Sequence, residues 1–185
     1  MTDKVSIIIP AYNVESLIFR AIESSLGQSH RNIEAVVVDD GSADGTWNII
    51  QKYAAADSRV VAVRQENAGV SAARNRALEL AGGRYAVFLD SDDWLEPDAV
   101  EQLLRIQAEN PGRFVTASFN SAKLTGGDMT VKRHIPEQAA LYFSAKEAML
   151  KPERRALDIC SACYKLFDLS LLRKHGIKFD EDIFY

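Results

Sequence analysis

Short apolar runs alternate, along the first two thirds of the chain, with stretches whose apolar side chains return every three or four positions. The runs at 5–9, 35–38, 60–63, 85–89 and 114–119 are bounded by polar or turn-forming residues and predict five strands. Between them, Leu17, Ile18, Ala21, Ile22 and Leu26 share one face of a helix, as do Trp47, Ile50, Tyr53 and Ala54. Val70, Ala73, Ala77, Leu80 and Ala81 stripe a third helix, which Gly82-Gly83 stops. Glu96-Pro97 opens a fourth, with Pro97 in its first turn, and Asn110-Pro111-Gly112 ends it. Continuous apolar strands separated by amphipathic helices imply an α/β fold, a mostly parallel sheet with helices on both faces. Such a sheet binds ligands beyond the carboxyl ends of its strands.

The last third reads differently. Residues 121–138 are polar, with Gly126-Gly127 as a turn, and predict a loop or hairpin. A short helix is expected at 145–150, a strand at 161–167 and a helix at 169–175 that ends at Gly176.

Composition narrows the function classes. The chain has 185 residues and a formal net charge of -4, so general electrostatic binding of nucleic acid is disfavoured. Its sequence contains no apolar run near the ~20 residues of a membrane span, and the run at 5–9 is too short for a signal-peptide core. Two cysteines build no disulfide framework, which fits a reducing cytoplasm. Cys160 and Cys163 form a lone Cys-x-x-Cys inside a predicted strand and read as buried small side chains.

Chemistry collects after strands one, two and four. Pro10-Ala11-Tyr12-Asn13, Asp39-Asp40-Gly41-Ser42 and Asp90-Ser91-Asp92-Asp93 converge on one rim of a parallel sheet. Carboxylates gathered there repel unless a cation neutralises them. A small all-oxygen set suits Mg2+ or Mn2+, with phosphate oxygens and water completing the shell. Turn and cap roles are the alternative: Asp90, Asp92 and Asp93 could open the fourth helix, and Ser42 or Asp44 could cap the second. One Asp of the 39–40 pair can cap while its neighbour accepts from a nucleobase N–H or a ribose hydroxyl. Gly69, after Asn67-Ala68, begins a helix whose free N–H groups favour phosphate, while Arg74 and Arg76 on that helix are either solvated or in contact with phosphate or base.

The segments VSIIIPAYN, VVVDDGSADGT, NAGVSAARNRALELAGGRYAVFLDSDDWLEPDAVE and KFDEDIF resemble family 2 glycosyltransferases. The resemblance implies the GT-A fold, a Rossmann-like sheet, and inverting transfer of a sugar from a nucleotide-diphosphate donor, UDP-linked, to a glycan or lipid-linked acceptor. It implies that Pro10, Ala11, Tyr12 and Asn13 lie beside the nucleotide, and that Asp40, with Asp39 as a second contact, reaches the base, usually uracil. Asp90-Ser91-Asp92 matches the family's Asp-x-Asp motif, with Asp92 on the metal, Asp90 on the ribose or assisting, and Asp93 a further ligand. Residues 1–120 are then the donor region and 121–185 an incomplete acceptor side. Phe179, Asp180 and Glu181 match an F-x-E element. The general base is Asp182 or Glu181, or lies beyond Tyr185 in a longer enzyme of which this is an N-terminal portion. The expected location is the cytoplasm or the inner face of the membrane. Two rival classes remain at this point: a nucleotide-sugar-binding fragment without catalysis, and a sugar nucleotidyltransferase. The second lacks the Gly-rich basic loop that a triphosphate needs after strand one.

Overall fold

The computed structural model describes residues 3–109, 162–163 and 165–182, and the backbone of 114–116, 119–125, 128–134 and 141–142. The elements run β1 (Val5–Ala11), α1 (Ile18–Leu26), β2 (Ile33–Asp39), α2 (Thr46–Ala56), β3 (Val60–Arg64), α3 (Val70–Leu80), β4 (Tyr85–Phe88) and α4 (Ala99–Glu109). They continue through β5 (Phe114–Thr116), β6 (Phe119–Thr125), β7 (Asp128–His134), β8 (Leu141–Tyr142), β9 (Lys165–Asp168) and α5 (Leu169–Lys174). Seven strands form one sheet in the order β3-β2-β1-β4-β9-β5-β8, and β6-β7 form a separate hairpin. The pairs β1–β2, β1–β4 and β2–β3 are parallel, while β4–β9, β9–β5 and β5–β8 are antiparallel.

Most of the expected elements are present, with three shifts. The fifth run divides: β5 covers 114–116, and Phe119 already belongs to the hairpin. The late strand is 165–168 rather than 161–167, with Cys163 forming an isolated bridge to Phe88. Pro97 falls in the turn before α4, where the Ala99 N–H donates to the Glu96 carbonyl at 3.0 Å. The helix expected at 145–150 and Cys160 lie outside the described residues; Cys163 is buried.

Every residue of β1 and β2 is buried, as both faces of a central parallel pair require. The period of two sends Val5, Ile7, Ile9 and Val37 to one side, against Ile18 and Ile22 of α1, Ile50 of α2 and Val100 and Leu103 of α4. Ile8, Val36, Val38 and Phe88 face the other side, against Ala73 and Ala77 of α3 and Leu169 of α5. Each fully buried isoleucine contributes about 2 kcal/mol of transfer free energy. The alanines let α3 lie across β1 and β2, and its first residue, Val70, stays exposed although it belongs to the sequence stripe.

At the amino ends of the strands a carboxylate is buried. Glu34 is 6% exposed and accepts from Lys4 Nζ at 2.5 Å, Ser6 Oγ at 2.6 Å and the Gly82 N–H at 2.6 Å. Ser6 Oγ in turn accepts from the Gly83 N–H at 2.9 Å. Burial pushes the Glu34 carboxyl up, and these hydrogen bonds with the Lys4 charge outweigh it, holding it below its ordinary value.

Candidate active site

The chain reverses its direction of travel across the sheet between β1 and β4, the topological switch point of a doubly wound sheet. Proline helps open it. The β1–β4 ladder ends at Ile8↔Phe88, with the Leu89 N–H donating to the Ile8 carbonyl at 2.9 Å. Pro10 follows on β1 and has no N–H with which to continue the pairing. Pro10 and Ala11 are buried at the end of β1, while Tyr12 emerges at 50% exposure and Asn13 is exposed.

The loops after β1 and β2 hold each other. Asn13 sits at φ +51°, a left-handed conformation that asparagine tolerates. Its N–H donates to Ser42 Oγ at 2.9 Å and its Oδ1 accepts from the Ala43 N–H at 2.8 Å. The Glu15 N–H donates to Asp44 at 3.1 Å, and the Gly45 N–H donates back to Glu15 at 2.9 Å. Asp44 also accepts from the first helical N–H of α2, on Thr46, at 3.0 Å. Burial pushes the Asp44 carboxyl up, but the Thr46 and Glu15 hydrogen bonds win and hold it below the usual range.

Asp39 and Asp40 divide their labour. Adjacent residues leaving a strand point opposite ways. Asp40 is buried and accepts from Gln65 Nε2 at 2.7 Å, the Ala68 N–H at 3.0 Å and the Gly69 N–H at 2.8 Å, so it fastens the β3–α3 loop. That loop passes so close to Gly41, at φ +76°, that a Cβ there would meet the Asn67 nitrogen at 2.8 Å. Asp39 is 0% exposed, and neither of its oxygens accepts a hydrogen bond. Arg64 Nε lies 3.1 Å from Oδ2 as an ion-pair partner, outside hydrogen-bond alignment, and the Arg64 guanidinium donates instead to the Ser42 carbonyl at 2.8 Å. A buried carboxylate without a hydrogen-bond donor is a rarity in a stable fold.

After β4 the chain turns, with the Asp93 N–H donating to the Asp90 carbonyl at 3.0 Å. Asp90 Oδ1 pairs with Arg74 of α3 at 3.0 Å, Ser91 and Asp93 are half-buried, and Asp92 is exposed. Arg74 keeps a buried Nε without a partner and lays its guanidinium 5.4 Å from the centre of the Phe179 ring. Among the described residues no three His, Cys, Asp or Glu side chains assemble into a metal cage, so Asp90, Asp92 and Asp93 share a loop without closing around one point. One or two carboxylates suffice only for a cation whose shell other oxygens, such as phosphate and water, complete.

The segment after α5 returns to α3. Asn75, 5% exposed, accepts from the Phe179 N–H at 2.9 Å and donates to the Phe179 carbonyl at 2.9 Å and to Glu181 at 2.7 Å. Phe179 packs edge-on against Phe88 with ring centres 5.1 Å apart. Glu181 is thereby brought to the helix that carries Arg74, while exposed Asp182 makes a local turn, its N–H donating to Asp180 at 3.0 Å. Arg64, Gln65 and Asn75 were not singled out by the sequence pattern. The only hint of Asn75 is its place beside Arg74, on a helix whose buried positions are otherwise small.

Comparisons with known proteins show which proteins the chain and its fold resemble. The family model described as "Glycosyl transferase family 2" matches residues 6–176. The chain is 46% identical over 119 residues to the glycosyltransferase GlyA of Streptococcus pneumoniae, covering 64% of this chain and 17% of GlyA. It is 40% identical over 147 residues to a putative teichuronic acid biosynthesis glycosyltransferase, TuaG, of Bacillus subtilis, covering 79% of this chain and 58% of TuaG. Among solved structures, residues 1–349 of S. aureus TarS in complex with UDP superpose with a TM-score of 0.71 at 26% identity, over 97% of this chain and 51% of that one. The chain thus spans less than two thirds of the length of each of these relatives. The sheet and its flanking helices are those of GT-A glycosyltransferases.

Proposed function

Because the chain belongs to glycosyl transferase family 2, we propose that it transfers a sugar from a UDP-linked donor to a glycan or lipid-linked acceptor, with inversion at the anomeric carbon. The observation that carries this reading is the donorless, buried carboxylate of Asp39 at the switch point. A uracil ring has an N–H for such an acceptor, and the solved TarS complexes hold UDP and UDP-GlcNAc. Tyr12, half-exposed at the same rim, supplies an aromatic face beside the nucleotide. Asp40, Asn67 and Gly69 shape the loop beneath it.

Asp90 and Asp92 would hold Mg2+ or Mn2+ together with the donor diphosphate, and that cation supplies charge to offset the departing UDP. Arg74 braces Asp90 from α3. On the acceptor side Glu181, fixed by Asn75, or Asp182 takes the proton of the attacking hydroxyl. Residues 1–120 form the donor side and 121–185 belong to the acceptor side. No helix among the described residues is long and apolar enough to cross a membrane. The reading places the protein in the cytoplasm or at the inner face of the membrane, where a lipid-linked acceptor is met.

The test is calorimetric titration of UDP with and without Mn2+, for the wild type, Asp39→Ala and Asp92→Ala. The expected result is metal-dependent binding in the wild type, metal-independent weak binding in Asp92→Ala, and weak binding with or without metal in Asp39→Ala. Equal affinity in all three proteins would sink the site assignment.

A further inference from the structure

We propose that Asn75 is a positioning residue that ties the acceptor-side segment 177–182 to the donor rim and thereby places the Glu181 carboxylate. This deepens the glycosyl-transfer reading and rests on it only for its kinetic consequence. The contact is unusual in kind. One carboxamide accepts from the Phe179 N–H and donates to the Phe179 carbonyl, so both backbone groups of a single residue 104 positions away are held by one side chain. The same Nδ2 donates to Glu181 at 2.7 Å. Only a group that donates and accepts at once can do this, and among side chains of this length that means asparagine. Burial at 5% exposure shields the bonds from competing water.

The neighbouring residue completes the link. Arg74 reaches Asp90 at 3.0 Å with one end and covers the Phe179 ring at 5.4 Å with its guanidinium. Phe88, the last residue of β4, supports that ring from the strand that leads to Asp90. Two consecutive residues of α3 therefore join the carboxylate of the donor side to the segment that carries Glu181. Phe179 is the residue they share, Arg74 over its ring and Asn75 on its backbone. A segment held this way has its carboxylate preset relative to the rim before an acceptor arrives, and that presetting lowers the barrier rather than the donor dissociation constant.

The experiment uses the whole chain with Asn75→Asp and Asn75→Ala. Asparagine to aspartate keeps the shape and an acceptor for the Phe179 N–H but removes both donations and sets a carboxylate against Glu181. Amide hydrogen exchange at residues 179–182 should speed by about ten-fold in both variants, with β1 and β4 amides unchanged. UDP affinity should stay within about two-fold, while kcat for transfer falls by about ten-fold or more at constant donor KM. Unchanged exchange in both variants overturns the proposal. So does full kcat with the segment released, or a parallel loss of UDP binding and global protection, which would make Asn75 merely structural. If the wild type binds UDP but transfers nothing, the transfer reading fails, and exchange together with UDP affinity still decides whether Asn75 holds the segment.

Discussion

Strand β2 carries a buried carboxylate at each end, and the two are treated in opposite ways. Glu34, at the amino end, accepts three hydrogen bonds and an ammonium charge. Asp39, at the carboxyl end, is more deeply buried and accepts none. Both sit in the same sheet between the same neighbours, so the fold itself does not explain the difference. Burying a carboxylate costs several kcal/mol unless partners replace water. At Glu34 the partners come from the chain, which makes that end a stability device. At Asp39 the chain supplies one half-exposed ion-pair partner, Arg64, and no hydrogen bond, which is the end the proposed function gives to a donor molecule's N–H.

The widest separation between the two ends should come from their substitutions. Asp39→Ala is expected to lower UDP affinity by about ten- to a hundred-fold, the worth of a hydrogen bond to a charged group. Its melting temperature should hold or rise by about 2 °C, because no hydrogen bond is lost and Arg64 is nearly half-exposed and rehydrates. Glu34→Gln should do the reverse. Its amide cannot accept from Lys4 at the position of its new N–H groups, so about 2 kcal/mol of stability goes, with about 4 to 8 °C of melting temperature. UDP affinity should not change. Calorimetry and thermal melts on both variants check the crossing. A variant that lost both properties would dissolve the distinction.

Gly41 stands between the two regimes and should show a mixed effect. Its φ of +76° and the 2.8 Å approach of the Asn67 nitrogen leave no room for a methyl group. Gly41→Ala is expected to cost about 1 to 2 kcal/mol and, by moving the loop that Asp40 fastens, to weaken UDP binding a few-fold. Denaturant titration and UDP calorimetry on the same sample measure both.

The rim was legible in the sequence because the apolar runs that give way at Pro10, Asp39 and Asp90 announce where apolar pattern yields to chemistry. The assignment within the rim was not. Asp39 and Asp40 are neighbours of one residue type, and only the path of residues 65–69 decides which one is consumed by the loop. Asn75 was invisible for a similar reason: its partners lie 104 and 106 positions away. The antiparallel β9 could be read as a strand, but its insertion between β4 and β5 follows from long-range pairing that no local period encodes. The lone Cys-x-x-Cys reading as packing is met at Cys163, which is buried behind β4.

The smallest effect is the most discriminating, because it asks whether the Glu34 network acts through charge. The carboxyl of Glu34 is held below its ordinary 4.5 by Lys4, Ser6 and the Gly82 N–H, against the upward push of burial. A group whose folded value is depressed contributes stability that is fully present above its unfolded value and is lost as pH falls through the folded one. The stability gap between the wild type and Glu34→Gln should therefore be constant from pH 7 down to about pH 5 and narrow steadily below 4.5. Once Glu34 protonates in the folded state it resembles the glutamine that replaces it, and the gap stops narrowing. Chemical denaturation of both proteins across that range measures the gap. A gap that stays constant to pH 3 would mean that shape rather than charge closes the amino end, and the contrast with Asp39 would then rest on packing alone.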